Sequence, residues 1–345
     1  MSTQTVFRIT LKDGIDGIRA FQEPIPSAGP YEVLVKIHSV ALNYRDIAIA
    51  TSTYILPTRD HVIPISDMAG EVVQVGERVD GLAVGDGVIP PVIASYMYGG
   101  FKQGHDDDGY GSVADGMLRE YVVLPATALV KLPQSSLGFA QWAAVCGTGS
   151  TVWNAFYGNT ALKPGDTVLL QGTGGVSMTG LVFAKAAGAT TIVTSSSDEK
   201  LAFAKSLGAH HTVNYKTHPN WATEVLRITD GQGVDHIIEN GGLGTIEQSL
   251  ECITASGIIS LIGFLDMAEQ KQPNMLIPAI AKAVTIRGIR GGSKHQLEEV
   301  VRYMGKRGLA VPVDKTFGFN REEIVAAFKY VASGKHVGKV CISLD

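Results

Sequence analysis

The stretch LLQGTGGVSMTG, from Leu169 to Gly180, limits the possible folds more than any other part of the chain. Its apolar lead-in reads as a buried strand, and the residues after it suit a helix. Gly172, Gly174 and Ser177 fill a G-x-G-x-x-small spacing between the two. The first glycine permits a tight turn, the second lets backbone come close to a pyrophosphate, and the third small residue lets helix and strand pack. A helix starting at such a turn aims its positive end back at it, so a phosphate is the expected guest. Thr173, Gly175 and Val176 complete the candidate contact surface.

One such spacing is weak evidence alone; its surroundings strengthen it. Candidate strands centre on Leu169, Ile192, Val213, Ile237, Ile259 and Ile286, roughly 20–27 residues apart, as βαβ units require. The pattern predicts an α/β fold with a doubly wound parallel sheet. The helix after the turn carries one charge, Lys185, and ends at Gly188, which suits close packing on the sheet. The next opens at SSDEK, where Ser196 and Glu199 have capping-box spacing, and closes at Gly208.

The N-terminal third has another texture. YEVLVKIHSV sets Val33, Val35 and Ile37 against Leu34, Lys36 and His38, a half-buried strand pattern. EVVQVGERV and REYVVLP repeat it between Gly- and Pro-bearing turns. A small irregular barrel follows from this, and the strand-like GKVCISL near the C-terminus rejoins it. The expected division is 1–127 with 292–345 for the β-rich domain and 128–291 for the dinucleotide-binding one.

A chain of 345 residues suits two such domains. With 45% apolar and 18% charged residues it is globular in composition, and its net charge of −4 gives no footprint for nucleic acid or an anionic membrane. No apolar run approaches the roughly 20 residues of a membrane span, and the start lacks the layout of a signal peptide. Cys146, Cys252 and Cys341 are too scattered for a disulfide framework or a zinc quartet. A cytoplasmic protein acting on a small molecule is expected. GHDDDGYG, Gly104 to Gly111, reads as a solvated acidic loop rather than a metal site.

The nucleotide can be narrowed further. An NAD site places an acid at the end of the second strand, about 20 residues on, to hold the ribose 2′-hydroxyl. Here Ser195 and Ser196 stand there, Lys200 follows one turn later, and Tyr215 closes the neighbouring strand. Hydroxyl donors with a cation suit a 2′-phosphate, so NADP(H) is the expected cofactor. The serines also read simply as a helix cap with Lys200 in solvent, and both readings hold together.

By these features the chain resembles the medium-chain dehydrogenase/reductase superfamily. The likeness is carried by NYRD, ISDMAGEVVQVGERV, VGDGV, LKPGDTVLLQGTGGVS, LGAHHTVNY, GQGVDHIIENGG and SLIGF. It implies a Rossmann domain and a GroES-like β-barrel domain made from both chain ends. Zinc-dependent members hold their catalytic metal with cysteines and a histidine or acid. The matching positions here are Asn43, Ser66 with Asp67 beside it, and Gly147, with Cys146 displaced by one. Catalytic zinc needs three N, S or carboxylate ligands, so no metal is expected. The resemblance is therefore to the zinc-free branch of quinone oxidoreductases and enoyl reductases. It implies that Asn43 lies near the nicotinamide and that Tyr54 hydrogen-bonds the substrate or donates a proton, with Tyr44 and Tyr96 as substitutes. It adds Thr151, Asn240, Ile262, Gly291 and Lys339 to the cofactor contacts, and implies a homodimer paired through the sixth strand.

Without a metal, an isolated carbonyl is hard to polarise. A conjugated acceptor is easier, because the charge that follows hydride addition sits on an enolate oxygen that aimed donors stabilise. A phenol, with an ordinary pKa of about 10, can supply the proton. The expected activity is NADPH-dependent reduction of an enone, enal or quinone. An NADPH-binding protein of low turnover and a zinc-type alcohol dehydrogenase are the alternatives.

Overall fold

The computed structural model describes residues 2–265 and 273–345. Its chain divides into two compact units, one of residues 1–150 and 291–345 and one of residues 151–290.

The first unit opens with a hairpin of β1 (Thr3–Ile9) and β2 (Ile18–Pro24). The long β3 (Glu32–Leu42) follows, then α1 (Tyr44–Ala50), β4 (Asp67–Val75), β5 (Gly87–Ile89), β6 (Tyr121–Pro125), β7 (Val130–Lys131) and α2 (Phe139–Ala143). Next comes α3 (Cys146–Tyr157), within which the division falls.

In the second unit strands and helices alternate: β8 (Thr167–Gln171), α4 (Gly175–Ala187), β9 (Thr190–Ser195), α5 (Asp198–Leu207), β10 (His211–Asn214) and α6 (Trp221–Ile228). Then come β11 (Val234–Glu239), α7 (Ile246–Cys252), β12 (Ile253–Leu261), α8 (Leu276–Ala281) and β13 (Thr285–Gly288). The chain returns to the first unit with α9 (Lys294–Arg307), β14 (Val313–Gly318), α10 (Arg321–Ala332) and β15 (Lys339–Ser343).

The second unit is the expected parallel sheet, in the order β10-β9-β8-β11-β12-β13. Leu169, Ile192, Val213, Ile237 and Ile259, at the expected strand centres, share one buried cluster, with Ile286 packed against it. Burying each such side chain is worth about 1.5–3 kcal/mol before entropy is counted. Sheet order reverses between β8 and β11, and a crevice at that point is where doubly wound sheets bind ligands.

In the first unit β3 is central. It pairs antiparallel with β4, β6 and β15. Val33, Val35 and Ile37 are buried as the alternation predicts, and Leu34 is buried too. The C-terminal β15 lies on Ser39–Leu42, so the tail rejoins the N-terminal strands as expected. Residues 128–150, given above to the dinucleotide domain, fall in this unit, because β7 pairs with β5 and α2 packs against β3 and β4.

One local expectation is corrected. The cap of α5 is Ser197, not Ser196: its side chain accepts from the Lys200 backbone N–H at 3.4 Å. β9 ends at Ser195 and α5 begins at Asp198, so Ser197, in extended conformation directly before the helix, takes the capping position. Gly188 and Gly208 end their helices in the left-handed conformation, as read from sequence.

Candidate active site

Gly172 has φ +76°, which the turn after β8 requires. Gly174 has an ordinary φ of −74° as the cap of α4. A Cβ on either glycine would meet no protein atom within 4 Å. Protein packing therefore does not explain Gly174, whereas a ligand lying against the backbone does. Gly180, one turn into α4, is different: a Cβ there would stand 2.7 Å from Leu170 Cδ2. Thr173 is buried, and Gly175 and Val176 are half-buried at the start of α4. This cradle fits a dinucleotide phosphate on the helix N-terminus.

Beside it, the ends of β9 and β10 bring the serines and Tyr215 together. Asn214 pairs with Ser195, and the Tyr215 N–H donates to the Ser195 carbonyl at 3.0 Å. Ser195 is buried, Ser196 and Lys200 are half-buried, and the Tyr215 ring is exposed. Ser195 Oγ accepts from the Ser197 N–H at 3.3 Å, so a hydroxyl stands at the strand end where an NAD site has a carboxylate.

Beneath the turn lies a polar network that the sequence reading missed. Glu239, the last residue of β11, is wholly buried. Its carboxylate accepts from Gln171 Nε2 at 2.7 Å, from the Gly241 and Gly242 N–H groups at 2.9 and 3.1 Å, and from the Ser249 and Thr245 hydroxyls. Every partner donates, as an ionised carboxylate needs. Asn240 joins the network: Nδ2 donates to Gln171 O at 3.1 Å and to Ser177 Oγ at 3.0 Å. Ile262 N–H donates to Glu239 O at 2.9 Å. The ends of β8, β11 and β12 are thus locked together at the switch point. Glu239, closing the apolar run in VDHIIENGG, was the available signal, since a buried acid at the end of an apolar strand needs partners.

The first unit builds a second polar cluster. Lys339 opens β15 with its side chain buried. Its Nζ donates at 2.7 Å to both Leu42 O and Asn43 Oδ1, and lies 3.6 Å from Asp67 Oδ2. Asp67 also accepts from Ser66 Oγ at 2.6 Å and from the Gly147 N–H at 3.0 Å. Asp46 Oδ2 accepts from the Asn43 N–H at 2.7 Å. Burial pushes the Asp46 carboxyl up to about 6, against the pull of Arg45. Arg45 stacks over the Tyr54 ring, 5.5 Å from its centroid, and donates to Tyr110 O and Ser112 Oγ. Burial lowers the Arg45 pKa, but the facing Tyr54 and Asp46 outweigh it and leave it raised. Tyr96 is buried and donates to Gly99 O, and Tyr44 is exposed at the start of α1.

Asn43, Tyr54 and Lys339 therefore share one unit, to which Gly291, with φ +71°, also belongs; buried Thr151 belongs to the other. In the acidic loop Asp108 accepts from Ser95, and among the described residues no three His, Cys, Asp or Glu side chains gather as a metal site.

Comparison with known proteins agrees with this architecture. Residues 29–134 match the alcohol dehydrogenase GroES-like domain, and residues 175–306 match the zinc-binding dehydrogenase model. A zinc-type alcohol dehydrogenase-like protein of Schizosaccharomyces pombe is 40% identical over 338 residues, covering 96% of each chain. The chain belongs to the medium-chain dehydrogenase/reductase superfamily. Another member, a quinone oxidoreductase-like protein 2 homolog of Nematostella vectensis, is 30% identical over 91% of this chain and 82% of its own. The crystal structure of a putative alcohol dehydrogenase from Sinorhizobium meliloti 1021 superposes with a TM-score of 0.89 at 34% identity, over the whole of both chains. The protein is thus an oxidoreductase of this superfamily, which binds nicotinamide cofactors.

The superfamily's zinc does not fit the residues present. Asn43 and Asp67 already receive the Lys339 ammonium, and Ser66 is a hydroxyl donor to Asp67. Gly147 offers no side chain, and a Cβ there would stand 3.0 Å from Asp67 Oδ2. The displaced Cys146 thiol points at Met68 O, 3.3 Å away, and burial raises its pKa well above the usual value. One carboxylate with an amide oxygen is not a zinc ligand set.

Proposed function

We propose that this chain is a metal-free, NADPH-dependent reductase of conjugated acceptors: enones, enals or quinones. The observation that carries the reading is the Lys339 ammonium between Asn43 Oδ1 and Asp67, on the positions that zinc enzymes give to ligands. With no metal to polarise a lone carbonyl, the chemistry favours an acceptor that spreads its own charge.

The turn of Gly172–Val176 would hold the pyrophosphate, with Ser195, Ser196, Lys200 and Tyr215 around a 2′-phosphate. A reduced nicotinamide, when bound, supplies a hydride. In this reading the acceptor's β-carbon receives it, the C=C π pair shifts to the bond between the α-carbon and the carbonyl carbon, and the carbonyl π pair moves to the oxygen. Asn43 then holds that enolate oxygen, and Tyr54 gives its phenolic proton to the α-carbon of an enone or enal, or to the oxygen of a quinone, its own oxygen staying beside the Arg45 guanidinium.

The test is NADPH consumption, followed by absorbance, with 9,10-phenanthrenequinone and a 2-enal, alongside metal analysis of the purified protein. Turnover that survives a chelator and prefers NADPH supports the reading. Stoichiometric zinc and chelator-sensitive alcohol oxidation would favour the activity that the S. pombe relative's name suggests.

A homodimer is part of the proposal. Its support is an apolar surface on α8, where Leu276, Ile277 and Ile280 are 67%, 61% and 68% exposed, next in sequence to the edge strand β13. Light scattering at increasing concentration tests it. The cytoplasm is the proposed compartment, supported by three buried, unpaired thiols. Among the described residues no helix is long and apolar enough to cross a membrane.

A further inference from the structure

An ammonium has three donors and no acceptor. Asn43 must therefore turn its amide oxygen toward Lys339, as the 2.7 Å contact records. The carboxamide is planar, so its Nδ2 group is directed elsewhere. Nδ2 has no acceptor among the described residues, yet it is not among the buried atoms left without a partner, so it reaches open space. Gly147 helps to keep that space: a Cβ at 147 would stand 3.4 Å from Nδ2. The other end of Asn43 is fixed as well, its backbone N–H held by Asp46 Oδ2 and its carbonyl accepting from the Asp46 N–H.

We infer that Lys339 is a positioning residue: it orients Asn43 so that Nδ2 is a fixed hydrogen-bond donor to the carbonyl oxygen of the acceptor. The inference rests on the proposed reductase activity and deepens it. It gives Lys339 a task other than the cofactor contact that the resemblance implies. An acceptor oxygen that gains charge during reduction would meet a donor whose direction is set beforehand, and a single aimed donor of this kind changes turnover by about 100- to 1,000-fold.

The test compares Asn43→Asp, Lys339→Met and Lys339→Arg with the wild type. Each is assayed for kcat and KM with a 2-enal, for NADPH affinity by titration calorimetry without acceptor, and for Tm. Asn43→Asp keeps an oxygen facing Lys339 but removes the donor, so kcat should fall about 100-fold or more while NADPH affinity stays within about threefold. Lys339→Arg should retain most of kcat, because its donors still face the amide oxygen. Lys339→Met should lose kcat with little change in NADPH affinity. An Asn43→Asp protein with near-wild-type kcat overturns the inference. So does a Lys339→Met protein that keeps kcat and binds NADPH more than about tenfold more weakly, since Lys339 would then act as a cofactor contact. If Lys339→Met does not fold, Asn43→Asp decides alone. A wild type that turns over none of these acceptors overturns the reductase reading itself, a result distinct from an active wild type with an equally active Asn43→Asp.

Discussion

Asp46 Oδ2 holds the backbone N–H of Asn43 at 2.7 Å, while its Oδ1 is buried with no partner. A half-satisfied carboxylate in the interior is costly to ionise, and burial raises its pKa from 3.8 to about 6. The sign follows. A carboxyl that holds its proton more tightly when folded stabilises the protein fully below its unfolded pKa and loses that contribution as pH rises through about 6. The gap between the two values corresponds to about 3 kcal/mol. Urea unfolding of wild type and Asp46→Asn between about pH 7.5 and pH 4.5 should show the wild type gaining on the variant as the solution is acidified. Parallel stability profiles would mean that Asp46 does not titrate in this range.

Glu239 accepts hydrogen bonds from three side chains and two backbone N–H groups in a fully buried place. Removing its carboxylate leaves those donors unsatisfied, at about 1–3 kcal/mol for each that water cannot reach. Glu239→Leu should lower Tm sharply. The milder Glu239→Gln should fold but let the Asn240–Gly242 turn move, weakening dinucleotide binding more than it lowers Tm. Calorimetry for both cofactors, read beside Tm, checks this; unchanged affinity would make Glu239 a fold element only.

Ser196, half-buried next to the end of β9, is the place to test the 2′-phosphate reading. In that reading an added carboxylate faces a dianionic phosphate, and juxtaposed like charges cost several kcal/mol. Ser196→Asp should weaken NADPH by more than about tenfold and leave NADH equal or tighter. Equal losses for both cofactors would show that Ser196 reads no phosphate.

Much of this was legible beforehand because the second unit is built from local periods. Five of the six expected strand centres share one buried cluster, since an apolar run bounded by glycines is the same physical object in sequence and in space. Interactions of high sequence separation were not legible. Lys339 and Asn43 are 296 positions apart, and nothing in the spacing of either announces the other. Glu239 meets Gln171 across 68 positions for the same reason. The cap of α5 is Ser197 and not Ser196 because three consecutive serines offer three caps, and only the start of α5 at Asp198 selects among them.

Gly174 offers the sharpest separation of ligand from packing. Its φ of −74° and ψ of −177° suit any residue, and a Cβ would touch nothing in the protein within 4 Å. Serine is also a better helix cap than most residues. Gly174→Ser should therefore leave Tm unchanged or slightly raised, while its side chain enters the space that a pyrophosphate would use. Dinucleotide affinity should fall about tenfold or more. Gly180→Val is the contrasting case, because its side chain would collide with Leu170 in the helix–strand seam. That variant should lose stability by about 1–3 kcal/mol, as overpacked cores do. If Gly174→Ser bound the cofactor as tightly as the wild type, the glycine turn would not be where the pyrophosphate lies, and the assignment of Gly172 to Val176 would fail with it.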